Sequence, residues 1–131
     1  MKRKESEEQV MVMNWAKLQM GKYPELRLLY HVPNGGYRNE FEAVNLKKQG
    51  VKSGVPDLTL PVARGGYFGL YIELKADEKG KVSKNQEEWI KALRDQGYRA
   101  GVCYGADQAI SVIKKYLSLP SKLSILYNSK V

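Results

Sequence analysis

The sequence predicts one α/β domain whose elements follow the order α-β-α-β-β-α-β-α. The chain has 131 residues, the length of a single domain of ordinary size. Hydrophobic residues make up 43% and charged residues 27%, which is the balance of a globular protein. No linker or internal repeat interrupts the pattern, so we expect a single domain over residues 1–131, with a core over about 5–117 and a tail over 118–131.

The first half of the chain predicts a helix, a short strand and a second helix. Residues 5–20 have apolar side chains at helical spacing, acidic residues in the first turn and a glycine after the last turn. Residues 26–32 form a short run rich in Leu and Tyr that stops at Pro33, which predicts a strand. Residues 40–49 form a short amphipathic segment that ends at Gly50, which predicts a helix.

The second half begins with the clearest hairpin pattern in the sequence. Residues 58–62 and 67–75 are apolar runs on either side of an Arg-Gly-Gly turn at 64–66, which is typical of two antiparallel strands. The remaining predicted elements are a helix that begins at Ser83, a strand over 98–104 and a helix over 107–117.

The charge of the chain favours a polyanionic partner. Lys and Arg total 22 against 14 Asp and Glu, which gives a net charge of +8 with the single His neutral. Such an excess is typical of proteins that bind nucleic acid, and an acidic membrane surface is the second possibility. The sequence has neither a GxGxxG nor a Walker motif, so we expect no nucleotide cofactor.

The cysteine content and the hydropathy pattern indicate an intracellular protein. The single cysteine, Cys103, can form neither an internal disulfide nor a thiolate zinc site. No apolar run is long enough for a signal peptide or a membrane span, so we expect a cytoplasmic location without membrane attachment. We expect Cys103, Trp15 and Trp89 to lie in the hydrophobic core.

The predicted hairpin places two carboxylates opposite each other. If the strands pair symmetrically about Gly65, then Asp57 and Glu73, each eight residues from it, are directly opposed. Opposed Cβ atoms lie about 5 Å apart, and oxygen–Mg²⁺ bonds of about 2.1 Å allow one cation to bridge the two carboxylates. Lys75 lies two residues beyond Glu73 and therefore on the same face of the strand. This cluster suits the hydrolysis of phosphodiesters.

The same three residues also fit a purely structural explanation. An Asp after Pro56 can cap a turn, and Glu73 can form a weak surface salt bridge with Lys75. Three features favour the catalytic interpretation: acids at both ends of one hairpin, the apolar run before Glu73 and the basic character of the chain.

Four motifs follow one another along the chain. They are Pro-Asn-Gly-Gly at 33–36, Gly-Val-Lys-Ser-Gly-Val-Pro-Asp at 50–57, Tyr-Ile-Glu-Leu-Lys at 71–75, and Ser-Lys-Asn-Gln at 83–86 followed by Trp89. In this order they resemble the virus-type replication-repair nuclease (VRR-NUC) family of the PD-(D/E)xK superfamily. The resemblance covers about residues 5–117 and implies a restriction-endonuclease-like core, with a mixed central sheet flanked by helices.

The resemblance also implies an activity. Members of the family depend on Mg²⁺ or Mn²⁺ and cleave DNA phosphodiesters. Stand-alone members of about this length resemble phage proteins that act as homodimers on branched DNA such as Holliday junctions. Two active sites related by a two-fold axis match a four-way junction, which is cut on two strands. We therefore expect an Mg²⁺-dependent, structure-selective endonuclease, and the sequence leaves open whether its substrate is a junction, a flap or a fork.

The family's functional residues can be assigned to positions in this chain. Asp57 and Glu73 match the metal-binding acids, Lys75 matches the catalytic lysine, and the backbone carbonyl of Leu74 is a further metal ligand in this superfamily.

A glutamate on the first helix completes such a site, and two candidates remain. Glu5, with Gln9 four residues later, resembles the family's E-x-x-x-Q pair and is slightly favoured. Glu8 lies on the same helical face as Val12 and Trp15, which ties it more firmly to the core. Either acid can instead stabilise the first turn through the helix dipole.

Four further residues are candidates for contacts with DNA. Asn34 and Arg38 lie in a loop that forms either a plain turn or a cradle for a phosphate. Lys52 fits a basic rim beside the site, although such lysines are often only solvated. Gln86 completes a Ser-x-x-Gln capping box, which explains it without chemistry, whereas its place in the family motif favours contact with DNA or water.

Two alternative functions remain open at this point. One is a non-catalytic, basic nucleic-acid-binding module, in which the acids would be incidental. The other is a restriction-like nuclease that acts on linear duplex, which would need a base-reading element that the sequence does not show. The opposition of Asp57 and Glu73 favours catalysis over binding alone.

Overall fold

A computed structural model describes residues 4–33 and 39–121. The predicted α/β class and the predicted order of elements are both confirmed. A short 3₁₀ helix, Pro24–Leu28, precedes the first strand. The helices and strands of the described residues are α1 (Glu5–Leu18), β1 (Tyr30–His31), α2 (Glu40–Lys48), β2 (Leu58–Leu60), β3 (Leu70–Lys75), α3 (Lys84–Asp95), β4 (Arg99–Tyr104) and α4 (Ala106–Leu117).

The strands form one mixed sheet in the order β1-β2-β3-β4. β1 and β2 are antiparallel, as are β2 and β3, whereas β3 and β4 are parallel. A parallel pair needs a crossover connection, and α3 provides it. α1 and α4 contact each other and β3, and α3 packs on β4. The expected mixed sheet flanked by helices is therefore present.

The predicted hairpin register is confirmed. Leu58 pairs with Ile72 and Leu60 pairs with Leu70, so paired residues are equally distant from Gly65. The tight turn itself is not centred there, because Arg64 pairs with Tyr67. Between the turn and the strands, the side of the hairpin that contains Pro61 has one residue more than the opposite side. This extra residue restores the symmetric register in the strands.

Both strands of this hairpin are shorter than predicted, because the residues nearest the turn do not form a regular ladder. Pro61 has no backbone N–H to donate, and the Val62 amide donates to the Leu60 carbonyl at 2.9 Å. Gly65 and Gly66 have φ values of 58° and 91°. Positive φ at both central residues is what a two-residue type I′ hairpin turn requires.

The strand predicted over 26–32 is largely wrong. Residues Pro24–Leu28 form a 3₁₀ helix, and the strand is limited to Tyr30–His31. Pro24 suits the start of a helix, because its φ is fixed and its missing N–H needs no partner there. Leu26 and Leu29 are both buried, and a spacing of three residues is the repeat of a 3₁₀ helix.

The hydrophobic core contains Cys103, as expected, and Trp15 packs against it. Burial raises the pKa of the Cys103 thiol to about 11, so this cysteine stays protonated and unreactive at neutral pH. Among the described residues, no helix combines the length and the apolar character needed to cross a membrane. Fully buried core residues include Val12, Leu26, Leu58, Leu60, Ile72, Leu74 and Ile113.

Candidate active site

Asp57 directly precedes β2 and is held there by contacts to the strands on both sides. Its Oδ2 accepts a hydrogen bond of 2.7 Å from the Leu74 amide on β3. On the other side, its carbonyl accepts from the Val32 amide at 2.8 Å and lies 3.0 Å from Nδ1 of His31. Because a carbonyl only accepts, His31 Nδ1 donates in this contact. These bonds fix both the main chain and the carboxylate of Asp57.

Three carboxylates converge at this point. Glu5 lies in the first turn of α1, and one oxygen each from Glu5, Asp57 and Glu73 lie within 4.8 Å of one another. Glu73 is 2% exposed and Asp57 is 9% exposed. Glu5 is exposed. Like charges this close destabilise one another, most of all where they are buried.

The electrostatics of the cluster follow from this crowding. Burial, and then the nearby Asp57 carboxylate, raise the pKa of Glu73 to about 8, while Lys75 acts in the opposite direction. Burial and Asp57 also raise the pKa of Glu5, again opposed by Lys75. Lys75 alone therefore does not offset the cost of bringing these carboxylates together in their ionised form.

The donor set fits a hard divalent cation. Glu73 Oε1 is buried and has no hydrogen-bond partner within the described part of the chain, and a buried oxygen without a partner is costly unless a ligand binds it. Carboxylate and carbonyl oxygens are the ligands that Mg²⁺ and Mn²⁺ prefer. Glu5, Asp57 and Glu73 therefore match the chemistry of such an ion.

Lys75 completes the cluster, and Gln86 holds it in place. Lys75 Nζ lies 3.5 Å from Glu73 Oε2 and donates to Gln86 Oε1 at 3.1 Å. Gln86 Nε2 donates to Glu73 Oε2 at 3.1 Å. The predicted capping box is confirmed, because the Ser83 amide also donates to Gln86 Oε1, at 2.9 Å. One amide thus caps α3 and orients both charged side chains of β3.

The segment before Asp57 is pressed against the start of α3. A Cβ on Gly54 would lie 2.8 Å from the backbone of Asn85, and the φ of Gly54 is 90°. Only glycine fits both the contact and the backbone angle. Asn85 Nδ2 also donates to Ser53 Oγ at 2.7 Å. The contacts place the motif that ends at Asp57 beside the motif that ends at Gln86.

Glu8 lies outside the carboxylate cluster. It is 5% exposed, and its Oε2 accepts a hydrogen bond of 2.9 Å from the Ala106 amide at the start of α4. The N-cap of α4 is Gly105, which has no side chain to accept from the first turn. Glu8 supplies that acceptor from α1, so the structure ties it to the packing of α1 against α4.

The other predicted residues are placed as follows. Leu74 is buried, and its amide binds Asp57. Lys52 is exposed and lines an open groove with Trp89, so Trp89 is not the core residue that the sequence pattern suggested. Asn34 and Arg38 lie outside the described residues.

Two residues beside the cluster were not assigned a role from the sequence. Gln9 and His31 line a cavity of about 590 Å³ together with Glu5 and Asp57. Nε2 of Gln9 is buried and has no hydrogen-bond partner in the described part of the chain. The signal for Gln9 was its place in the E-x-x-x-Q pair with Glu5, a spacing that puts it one helical turn farther along α1.

Comparison with known proteins gives a consistent result. A family model described as the VRR-NUC domain matches residues 1–107. A solved structure titled "VRR_NUC domain protein" is similar to this chain with a TM-score of 0.80 and 41% sequence identity, over 91% of this chain and 92% of the other. A search of curated proteins found no match.

Proposed function

Because this chain belongs to the VRR-NUC family and is therefore a nuclease of the PD-(D/E)xK type, we propose that it is a divalent-metal-dependent endonuclease that cuts branched DNA. The observation that carries the metal dependence is the convergence of the Glu5, Asp57 and Glu73 carboxylates within 4.8 Å. A protein that only binds DNA gains nothing from crowded carboxylates, two of them buried, that repel both one another and the phosphates.

Glu5, Asp57 and Glu73, with the backbone carbonyl of Leu74, would hold Mg²⁺ or Mn²⁺. When bound, such a cation polarises a phosphate and makes water a better nucleophile. The protein's own contribution is positional. The Leu74 amide holds the Asp57 carboxylate, and Gln86 holds Glu73. Their carboxylates need little rearrangement before chemistry, which lowers the entropic cost of reaching the transition state.

Lys75 supplies the positive charge of the site. Its ammonium group is directed by two partners, Glu73 and Gln86, and the residue is only 7% exposed. In this position, Lys75 orients the attacking water or balances the charge that develops on the phosphate in the transition state. We expect Lys75→Ala to slow the chemical step by roughly 10²- to 10⁴-fold with little change in metal affinity.

Branched DNA is proposed as the substrate on the basis of the resemblance to stand-alone phage enzymes and the net charge of +8. We propose that the protein acts as a homodimer, since a four-way junction presents two equivalent strands to two equivalent sites. Light scattering on the protein alone would determine its oligomeric state.

The test is a cleavage panel with Mg²⁺ on end-labelled linear duplex, flap, fork and four-way DNA. Paired, symmetric cuts in the four-way substrate are expected. Preferential cutting of linear duplex would instead support the restriction-like alternative. Asp57→Ala should abolish cleavage while binding to the junction survives, and Asp95→Ala, which removes an exposed carboxylate at the end of α3, is the matched control. Undiminished Mg²⁺-dependent cleavage by Asp57→Ala would contradict the proposal.

A further inference from the structure

A second candidate site lies beside the carboxylate cluster, in an open groove of about 540 Å³ between the end of α2 and α3. We call it the Trp89 groove. The lining residues that matter here are Lys47, Lys52, Ser53, Asn85, Glu88 and Trp89. No role in the chemistry described above requires this groove.

Trp89 lies outside the main hydrophobic core. Trp89 is partly exposed, and within the described residues it belongs neither to the main hydrophobic cluster nor to the partly buried side chains packed on it. The helical spacing explains this, because Trp89 lies between the face of α3 that carries Asn85 and the face that carries Gln86. The face of α3 that carries Asn85 lines the groove, and the face that carries Gln86 contacts Lys75 and Glu73 of the carboxylate cluster.

The groove is close to the reacting groups. Trp89 follows Gln86 by three residues, about 4.5 Å along the helix axis and on adjoining surface of the helix. Gln86 itself contacts both Lys75 and Glu73. A DNA strand that runs from the carboxylate cluster towards α3 would therefore reach the groove within a few nucleotides, since stacked nucleotides rise about 3.4 Å each.

The chemistry of the groove suits a single nucleotide with its base exposed. Lys47 and Lys52 are both exposed and can contact phosphates, while Glu88 is the acid among the lining residues that the structure describes. The hydrogen bond between Asn85 and Ser53 holds the floor of the groove together. An indole face with lysines around it is the combination by which proteins bind unpaired bases, through stacking and phosphate contacts.

A continuous duplex does not offer this combination, because its base faces are covered by stacking and only its phosphates and groove edges are accessible. We propose that the Trp89 groove binds an unpaired nucleotide of the DNA, with its base stacked on the indole and its phosphates beside Lys47 and Lys52. The inference rests on the proposed function in that the strand is taken to continue into the carboxylate cluster. It adds a physical reason for selecting branched substrates that expose unpaired bases.

The test measures binding in EDTA, so it does not depend on cleavage. The chain has two tryptophans, and the Trp15→Phe variant leaves Trp89 as the only fluorescent indole. Titration with an oligothymidylate of about eight nucleotides should quench its fluorescence, and a duplex of equal length should quench it much less. In the otherwise unchanged protein, Trp89→Leu should weaken oligothymidylate binding about 5- to 150-fold and duplex binding less than about twofold.

The controls separate stacking from folding. Trp89→Phe keeps an aromatic face and should retain most of the affinity for oligothymidylate, and thermal melting shows whether each variant folds. Lys52→Ala removes one exposed cation without touching the core. In a plot of the logarithm of the oligothymidylate binding constant against the logarithm of the salt concentration, it should make the slope shallower by about 0.7.

Absence of quenching, or an equal loss of oligothymidylate and duplex binding in Trp89→Leu, would overturn the inference. If Trp89→Leu does not fold, the Trp15→Phe titration and the Lys52→Ala slope decide the question. Intact Trp89-dependent binding by a protein that cleaves no DNA would overturn the proposed function and leave this site standing.

Discussion

Replacing Glu73 with Gln should change how the stability of the metal-free protein depends on pH. Burial and the Asp57 carboxylate raise the pKa of Glu73 to about 8 from its ordinary value of 4.5, against the opposing effect of Lys75. Between these two pH values the side chain is neutral in the folded protein and ionised in the unfolded chain. Folding therefore takes up a proton across this range.

The sign and size of the effect follow from this uptake. The contribution of Glu73 is most favourable below about pH 4.5 and is lost as the pH rises through about 8. One proton taken up lowers the free energy of unfolding by up to about 1.4 kcal/mol per pH unit. Over the whole range the loss is at most about 5 kcal/mol. Interaction with a neighbouring ionisable group spreads the titration of Glu73 over a wider pH range without reversing its direction.

Glu73→Gln removes this titration and changes little else. The amide has nearly the same shape, and its oxygen can still accept the hydrogen bond from Gln86 Nε2. Urea unfolding in EDTA, followed by circular dichroism at several pH values between about 5 and 8, should show a steeper loss of stability in the wild type than in the variant. Glu87→Gln, which changes an exposed residue in the first turn of α3, is the matched control and should follow the wild type.

Adding Mg²⁺ at about pH 8 provides a second readout. The cation should stabilise the wild type, because it binds the folded state, and should stabilise the Glu73→Gln variant much less. Identical pH slopes in the wild type and in Glu73→Gln would refute the reasoning, since Glu73 would then ionise equally in both states.

Three other substitutions test how the site is supported. Gln86→Ala should lower kcat for cleavage about 10- to 100-fold with little change in KM for DNA, because its hydrogen bonds to charged groups are lost. A change confined to KM would instead make Gln86 a DNA contact. Glu8→Ala should lower the free energy of unfolding by about 1–3 kcal/mol in urea titrations, whereas Glu8→Gln, which keeps an acceptor, should lower it less and still cleave; loss of cleavage by folded Glu8→Gln would place Glu8 in the chemistry. Gly54→Ala should lower the melting temperature more than Gly50→Ala, since both glycines have positive φ but only the first meets backbone atoms; equal shifts would show that the contact at Gly54 is easily relieved.

The opposition of Asp57 and Glu73 could be anticipated from the sequence because antiparallel register follows from where the turn lies. The pairing of Leu58 with Ile72 confirms that register. The turn is displaced from the assumed centre, and the extra residue on the Pro61 arm compensates for the displacement. A one-residue slip would have moved Asp57 to the opposite face. The register was thus correct, although the assumed geometry of the turn was not.

Tertiary placement explains what the sequence left open. Glu5 and Glu8 are one helical turn apart, and their spacing along α1 cannot tell which of them reaches a strand that is far away in sequence. That depends on how α1 crosses the sheet, and the structure directs Glu5 to Asp57 and Glu8 to the start of α4. The catalytic roles of these acids stay predictions.

Trp89 shows a related limit of pattern analysis. An apolar residue at helical spacing is typical of a core position, but the periodicity does not state where the edge of the buried face lies. Ile90, the next residue, is 7% exposed, whereas Trp89 is partly exposed and lines the groove together with Lys47 and Lys52. One step of about 100° around the helix separates a core residue from a candidate binding residue.

The arrangement around Gln86 shows why two explanations of one residue need not compete. Its amide has a carbonyl end and an amino end, so it can accept from the Ser83 amide and Lys75 while it donates to Glu73. The capping box that begins α3 therefore also sets the distance between the acid and the base of β3. Since Gly54 also packs against Asn85 in the first turn of α3, we expect a change in that turn to displace Glu73, Lys75 and the Asp57 segment together. The close packing at Gly54 therefore holds the Asp57 segment beside the start of α3, so that the two motifs meet at one place.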